Sequence, residues 1–290
     1  MRIAIYGNKY QEKFFAPLER LFGALAGRNA WVAIDRSFYD YLCCHTSVVP
    51  VVNEVIDEES NFDAAIALSI GGDGTFLRTA EKVARCGIPI LGINTGHLGY
   101  LADASVENID EVVENLFSGN YKIEERTVLH VTTDSGVVID NPFALNEIAI
   151  SRQSTALMMS MHTWVNGSDL TTYKGDGLVI CTPTGSTAYN MSVGGPILEP
   201  TASCMVLSPI SPHSLNMRPL VIRNDSTITV STQSRASNYQ VSIDGRLIQC
   251  PNGSTVTVRK APFTVRILQK STHDFAHTLR LKLMWGTDRR

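Results

Sequence analysis

The first 120 residues alternate between short apolar runs and longer amphipathic stretches, a pattern typical of a parallel α/β sheet. The apolar runs predict strands at residues 3–6, 31–34, 64–70 and 88–93. Apolar residues at helical spacing predict a helix after the first strand, with a face made of Phe14, Phe15, Leu18, Leu21, Phe22 and Leu25. Another helix is expected at about residues 108–117. We therefore expect a Rossmann-like α/β domain over residues 1–120.

From residue 121 onward the pattern changes to short alternating strands separated by the turn signals Asn166-Gly167, Asp244-Gly245 and Asn252-Gly253. Strand-like stretches lie near Leu129, Ala144, Met159, Leu178, Val206, Thr227, Val241 and Val256. Their spacing is that of a sandwich or a closed barrel-like sheet, and we predict a multi-stranded β-sandwich domain over residues 121–264. Residues 265–290 have the pattern of mixed structure, and we expect them to return to the α/β domain.

Composition limits the classes of partner. With 290 residues, of which 44% are hydrophobic, the chain is long enough for two cores of ordinary size. A net charge of -3 provides no basic field for nucleic acid, so a bound polyanion should be small, such as a nucleotide. The apolar runs are far shorter than the roughly 20 residues that span a membrane, and the N-terminus leads directly into a strand. We expect a cytoplasmic protein with no membrane partner.

Cysteine and histidine give no metal motif. The six cysteines form no Cys-x-x-Cys pair, and we expect reduced thiols, mostly in the core. His273 and His277 have the spacing of a helical metal pair, but the segment lacks the glutamate of a zinc protease motif. We therefore predict no metal site made by protein side chains.

A glycine-rich segment, Gly71-Gly72-Asp73-Gly74-Thr75, lies between an apolar run and a helix-like stretch. Glycines at such a turn expose backbone N–H groups at a helix N-terminus, which favours phosphate. An acid in this position repels phosphate unless it binds a metal ion or takes a proton from a hydroxyl, so Asp73 is a catalytic candidate. The alternative is a tight turn in which Asp73 caps the helix.

Two common phosphate loops are excluded. The dinucleotide fingerprint needs Gly or Ala where Leu77 stands and an acid near Asn94. The P-loop needs Gly-Lys-Ser/Thr, which is absent from the sequence. Arg78, one turn into the helix, is a candidate for donor phosphate.

A second concentration of unusual residues runs from Lys174 to Pro196 and is rich in glycine, serine and threonine. Freed amides and short hydroxyls suit a sugar, an amide or a pyrophosphate, although a Ser/Thr-rich connecting loop is the alternative. The dipeptide Asn146-Glu147 adds an amide and a carboxylate, and taken alone it indicates an exposed strand end.

Six motifs occur here in an order that resembles the motif set of NAD kinases: residues 71–75, 94–99, 146–147, 182–189, 194–196 and 208–220. The first motif is shared with lipid kinases and phosphofructokinases, whereas the full set is specific. The resemblance implies an active site in the interdomain cleft that binds NAD and ATP, in a homodimer or homotetramer. It also implies phosphoryl transfer from ATP to the 2′-hydroxyl of the adenosine ribose, which gives NADP.

The resemblance also implies roles for individual residues. Asp73 is the expected base, with Gly72 and Gly74 beside phosphate. Tyr100 is expected to cover the adenine, since an aromatic face suits a flat base. The remaining expected contacts to the dinucleotide are Asn146, Glu147, Lys174, Asp176, Thr184, Thr187, Ala188, Tyr189, Asn190, Met191, Ser192, Asp244 and Arg246.

Position 246 departs from the family, which commonly has Gln or His there. No dense carboxylate cluster is visible in the sequence, so we expect Mg²⁺ or another divalent cation to bind as its complex with ATP. Two other functions remain open at this point. A lipid or sugar kinase would leave the segments 182–189 and 208–220 unexplained, and a non-catalytic dinucleotide-binding module would not need Asp73.

Overall fold

The computed structural model describes residues 1–9, 14–45, 50–57, 63–96, 99–102, 104–153, 158–272 and 274–286. The chain divides into two compact units. The α/β unit comprises Met1–Glu125 and Val265–Arg290, and the β unit comprises Arg126–Thr264. Both divisions fall inside strands, so the chain crosses from one unit to the other without a linker.

The α/β unit contains a parallel sheet and most of the helices. Its strands are β1 (Arg2–Gly7), β2 (Trp31–Asp35), β3 (Glu54–Ile56), β4 (Ile66–Gly71), β5 (Ile90–Asn94) and β6 (Ala104–Ser105). Its helices are α1 (Phe15–Gly27), α2 (Arg36–His45), α3 (Asp73–Val83), α4 (Ile109–Ser118) and α6 (Phe275–Leu283). The strand order is β5-β4-β1-β2-β3, with all pairs parallel. Chain order reverses between β1 and β4, where open α/β sheets form a crevice at their carboxyl ends.

Helix α2 and strand β3 were absent from the sequence-based prediction. Only Phe38 and Leu42 of α2 are buried, so the helix carries little apolar periodicity. It begins where the carboxylate of Asp35 accepts hydrogen bonds from the hydroxyl of Ser37 and the N–H of Phe38. Strand β3 has three residues, which is too short for a visible alternation.

The β unit is a sandwich of two sheets. Its strands are β7 (Tyr121–Thr133), β8 (Phe143–Ala144), β9 (Glu147–Arg152), β10 (Met159–Val165), β11 (Ser168–Gly175), β12 (Gly177–Cys181), β13 (Cys204–Ile210), β14 (Leu220–Arg223), β15 (Ile228–Gln233), β16 (Asn238–Ile243), β17 (Arg246–Pro251) and β18 (Thr255–Lys270); its helix is α5 (Tyr189–Ser192). One antiparallel sheet has the order β14-β13-β12-β9-β16-β17. The other joins β11, β10, β15 and the first part of β18, with β7 and β8 attached.

One core joins the two sheets of this unit. It includes Leu129 and Met159 from one sheet, and Ile148 and Val241 from the other. An α/β unit and a β-sandwich unit confirm the predicted fold class. Within the described residues, no helix combines the length and the apolar character needed to cross a bilayer.

Candidate functional site

The turn between β4 and α3 contains glycines of two kinds. Gly71 has φ 153°, and a Cβ atom there would lie 2.4 Å from Oγ1 of Thr75, so the chain itself requires glycine. Among the described residues, a Cβ atom on Gly72 would meet nothing within 4 Å, and one on Gly74 would meet only Nη1 of Arg78 at 4.0 Å. The fold therefore leaves open space beside these two glycines, at the N-terminus of α3 where anions are favoured.

Asp73 is held by the backbone of the second glycine-rich loop. Its Oδ2 accepts the N–H of Tyr100 at 2.9 Å, and its Oδ1 accepts the N–H of Leu101 at 3.0 Å. Gly99 permits this approach, because a Cβ atom there would lie 2.1 Å from Oδ1. A carboxylate has about four acceptor positions, so two bonds orient Asp73 and leave capacity for a hydroxyl proton.

The second loop begins at Asn94, whose side-chain oxygen accepts the N–H of Gly96 at 3.0 Å. His97 and Leu98, which belong to the predicted motif, lie outside the described residues. Lys282 of α6 donates to the carbonyl oxygens of Gly99 and Ala102. The loop is thereby bonded to both α3 and α6.

The ammonium group of Lys282 lies over the ring of Tyr100, 5.3 Å from the ring centroid, which is within cation–π range. One face of the ring therefore faces a cation, and an adenine could stack only on the other face. Burial raises the pKa of the Tyr100 hydroxyl, whose oxygen has no hydrogen-bond partner within the described part of the chain.

A cavity of about 420 Å³ lies within the α/β unit at the carboxyl ends of β1, β2 and β3, beside α3. Its polar lining includes Asp35, Arg36, Asp57, Arg78 and Lys82. Arg36 pairs with Asp57 at 2.9 Å and lowers the pKa of that carboxyl group. Arg78 donates from Nη2 to Oγ1 of Thr75 at 3.2 Å.

The sequence analysis identified Arg78 and missed the other four charged residues that line this cavity, Asp35, Arg36, Asp57 and Lys82. Asp35 directly follows the predicted second strand, so its position at a strand end was a usable signal. The sequence contains no comparable signal for Asp57, because strand β3, which it follows, was not predicted.

In the β unit, the start of β9 and the ends of β12 and β16 lie at one edge of the sheet. Thr182, directly after β12, donates its hydroxyl to the carbonyl oxygen of Leu145 at 2.6 Å and accepts the N–H of Gly185 at 3.1 Å. Its own N–H donates to the carbonyl oxygen of Asn146 at 2.9 Å. These bonds join the Ser/Thr-rich segment to the Asn146-Glu147 dipeptide. The two motifs are therefore neighbours in the structure although they are distant in sequence.

Asp244 and Arg246 hold that same dipeptide in place. The Asp244 carboxylate accepts the N–H groups of Leu145, Asn146 and Glu147 at 2.7, 2.9 and 3.0 Å. Burial raises the pKa of Asp244, and the three amides oppose this shift. Arg246 donates to the carbonyl oxygen of Phe143 at 2.8 Å. Both side chains thus bind the backbone of residues 143–147.

Glu147 has a strongly perturbed carboxyl group. Burial, and then the charge of Asp244, raise its pKa to about 7, whereas the backbone N–H of Tyr189 opposes the shift. Its Oε2 is buried without a hydrogen-bond partner within the described residues. A buried acid that titrates near neutrality is a functional-site candidate on physical grounds.

The segment 184–192 divides into buried and accessible side chains. Asn190 is 0% exposed; its Nδ2 donates to the carbonyl oxygens of Ser186 and Pro196, and its Oδ1 accepts the hydroxyl of Ser208 at 2.6 Å. Thr184 is also buried. Tyr189 is 42% exposed, and the other accessible or half-buried members are Thr187, Ala188, Met191 and Ser192.

Asp176, between β11 and β12, forms an ion pair with Arg152 at 2.9 Å. Lys174 has an exposed side chain at the end of β11. The sequence reasoning missed Arg152, whose position gives no signal without the pairing of β9 with β12.

The described residues contain no group of three His, Cys, Asp or Glu side chains that could hold a metal ion. His277 is exposed on α6, and His273 lies outside the described residues. All six cysteines are free thiols. Cys181 and Cys250 are buried, Cys43 and Cys204 are half-buried, and Cys44 and Cys86 are exposed. The expectation that most of the cysteines lie in the core is therefore wrong.

The two units and their glycine-rich turns place the chain among two-domain nucleotide-binding enzymes. Models of the ATP-NAD kinase N-terminal and C-terminal domains match residues 32–121 and 145–270. The chain belongs to the NAD kinase family. An NAD kinase of Bacteroides fragilis is 44% identical over the full length of both chains, and one of Flavobacterium psychrophilum is 41% identical, also over the full length of both chains.

Two solved structures share the fold. The yeast NADH kinase complexed with NADH has a TM-score of 0.88 at 21% identity, covering 100% of this chain and 89% of the yeast chain. An NAD kinase from Archaeoglobus fulgidus in complex with ATP has a TM-score of 0.72 at 26% identity, covering 97% of this chain and 99% of the other.

Proposed function

We propose that this chain transfers a phosphoryl group from ATP to the 2′-hydroxyl of the adenosine ribose of NAD, giving NADP and ADP. The observation that carries the proposal is the orientation of Asp73 at the N-terminus of α3, in a chain that belongs to the NAD kinase family. Lipid and sugar kinases share only the first motif, and they lose support because the family models cover both units.

Asp73 is the general base in this proposal. A ribose hydroxyl is a weak nucleophile at neutral pH, and a carboxylate that takes its proton contributes about 10²- to 10⁴-fold in rate. The oxygen attacks the terminal phosphorus, the bond to the ADP oxygen breaks, and the hydroxyl proton moves to Asp73. The two amides that hold the carboxylate fix its direction before the substrate binds.

The donor is ATP carrying Mg²⁺ or another divalent cation. The phosphates use the N-terminus of α3 beside Gly72 and Gly74, and Arg78 supplies positive charge. The cation arrives on ATP as part of the substrate. When bound, the cation shields phosphate charge from the incoming oxygen.

The dinucleotide contacts the accessible side chains of the Ser/Thr-rich segment, which are Thr187, Ala188, Tyr189, Met191 and Ser192. Asn146 and Glu147 contact the ribose and adenine part, Tyr100 covers the adenine with the ring face that points away from Lys282, and Lys174 and Asp176 border the nicotinamide end. Asn190 and Thr184 support this segment from the core. Asp244 and Arg246 act through the backbone that presents Asn146 and Glu147.

The test is NADP formation from NAD and Mg-ATP, followed with a dehydrogenase that accepts only NADP and checked by phosphorus NMR of the product. We expect a 2′-phosphate. No NADP, a 3′-phosphate, or activity on free adenosine equal to that on NAD would contradict the proposal. NADH and polyphosphate are run in parallel, and omission of the divalent cation with a chelator tests its requirement.

The proposal includes a cytoplasmic homodimer or homotetramer. Free thiols at all six cysteines support a reducing compartment. Light scattering after gel filtration measures the mass relative to the 31.8 kDa chain, and a monomer at assay concentration would contradict the assembly.

A further inference from the structure

Lys282 lies in the last turn of α6 and is half-buried against the second glycine-rich loop. Its ammonium group donates to the carbonyl oxygen of Gly99 and, at 3.5 Å, to that of Ala102. These carbonyls flank Tyr100 and Leu101, the two residues whose N–H groups bond Asp73. In the segment 99–102, the first and last carbonyl oxygens therefore accept from Lys282, and the two central N–H groups donate to Asp73.

One peptide group is shared between the two charges. The carbonyl oxygen of Gly99 and the N–H of Tyr100 belong to the same planar unit. Lys282 binds its oxygen and Asp73 binds its N–H. A cation on the oxygen polarises the unit and makes the N–H a stronger donor, because hydrogen bonds in a chain reinforce one another.

The loop has little room to move independently of Asp73. A single added Cβ atom at Gly99 would lie 2.1 Å from Oδ1 of Asp73. A displacement of the loop therefore displaces the carboxylate, and an error of about 1 Å in a reacting group can cost about 10²-fold in rate.

We infer that Lys282 is a positioning residue for phosphoryl transfer, which acts through the Gly99–Tyr100 peptide group to hold the Asp73 carboxylate in its working direction. The inference rests on the proposed function. It assigns the C-terminal helix α6 a task in catalysis, through the contacts of Lys282 with the loop that holds Asp73.

The test compares Lys282→Met with Arg280→Met, which removes the same charge from the exposed side of the same turn of α6. Lys282→Met should lower kcat about 10- to 100-fold and leave KM for ATP within about twofold, while Arg280→Met retains native kinetics. Lys282→Arg keeps the charge and several donors, and it should recover most of the lost kcat.

A second measurement does not depend on turnover. Hydrogen–deuterium exchange of peptides spanning residues 99–102 should be faster in Lys282→Met than in Arg280→Met or the native chain. Native kcat in Lys282→Met, or unchanged exchange, would overturn the inference. If the native chain makes no NADP but exchange responds as expected, the proposed function fails and the contact between Lys282 and the loop stands.

A double variant separates positioning of Asp73 from any contact of Tyr100 with substrate. The double variant Asp73→Asn with Lys282→Met should have a kcat less than about twofold below that of Asp73→Asn alone, because the two residues act as one unit. A full additional loss would show that Lys282 acts on something other than Asp73 and would overturn the inference.

Discussion

The backbone N–H of Tyr100 donates to Oδ2 of Asp73 across 27 residues of sequence, at 2.9 Å. This bond joins the two glycine-rich loops that follow neighbouring strands β4 and β5. The acid in the phosphate turn therefore has a structural partner in addition to the role proposed for it. The sequence left open catalysis or a helix cap for Asp73. The capping alternative is wrong, because Gly72 is the N-cap of α3 without a side-chain cap bond and the Asp73 carboxylate binds the second loop instead, whereas the catalytic role stays a prediction.

The first prediction concerns that carboxylate. In Asp73→Asn, the amide nitrogen faces one of the two N–H donors, so one hydrogen bond is lost together with the base. We expect kcat to fall about 10²- to 10⁴-fold while the chain still folds. Steady-state kinetics and a thermal melt measure both effects.

Asp110→Asn is the matched control, because Asp110 is an exposed acid in the first turn of α4. It should retain native turnover. Near-native turnover in Asp73→Asn would remove this residue from catalysis.

The second prediction separates ligand binding from stability at the glycine turn. Gly74 lies in the first turn of α3, and its Cβ direction is open. Alanine is favoured over glycine in helices by about 1 kcal/mol, so Gly74→Ala should melt at an equal or higher temperature. Its KM for ATP should nevertheless rise, because the methyl group occupies the space proposed for phosphate.

Alanine substitutions at two other glycines serve as controls for Gly74→Ala. Gly23 is an exposed position in α1, and no described residue lies within 4 Å of a Cβ atom added there, so Gly23→Ala should gain similar stability with unchanged kinetics. Gly71→Ala should melt at a lower temperature, because its Cβ atom meets Thr75 at 2.4 Å. An unchanged KM in Gly74→Ala would argue that phosphate lies elsewhere.

Strong local patterns allowed much of the fold to be predicted. The buried leucines of α1 repeat at helical spacing, and Asn166-Gly167 and Asp244-Gly245 form the expected turns with positive φ. Helix α2 was missed because two buried residues make no stripe, and the short strand β3 carries no alternation.

The sequence predicted which residues belong to the candidate site, but it predicted few of the contacts that these residues make. Nothing local in the sequence indicates that Asp244 turns toward the amides of residues 145–147, or that Asn190 faces inward. Lys282 was missed for the same reason, since its partners lie about 180 residues earlier in the chain. These contacts arise from tertiary packing, which the local pattern of one sequence does not specify.

The third prediction concerns pH and Glu147. Its pKa in the folded chain is about 7, against 4.5 for an ordinary glutamate. Between these values the native state keeps a proton that the unfolded chain has released, so the free energy of unfolding falls as pH rises toward 7. The contribution is fully present below pH 4.5 and is lost above about 7.

Glu147→Gln removes this titration. Relative to the native chain, the variant should gain stability as pH rises across that window, by at most about 3 kcal/mol. Chemical denaturation at several pH values measures the difference, with Glu199→Gln as an exposed control in the same unit. A stability difference that does not change with pH would contradict the raised pKa.

The last prediction contrasts two neighbours in the Ser/Thr-rich segment. Tyr189 is 42% exposed and Asn190 is 0% exposed. Tyr189→Ala should keep its melting temperature and lose about 10²-fold in kcat/KM for NAD, because positioning of the dinucleotide suffers. Asn190→Ala strands the hydroxyl of Ser208 and two carbonyl oxygens in the core, so it should lose about 2–4 kcal/mol of stability. Calorimetry and NAD kinetics on both variants resolve the two effects, with phosphorus NMR of the product as a check on the site of transfer. An unstable Tyr189→Ala, or a stable Asn190→Ala with weakened NAD binding, would reverse the roles that burial assigns to this pair.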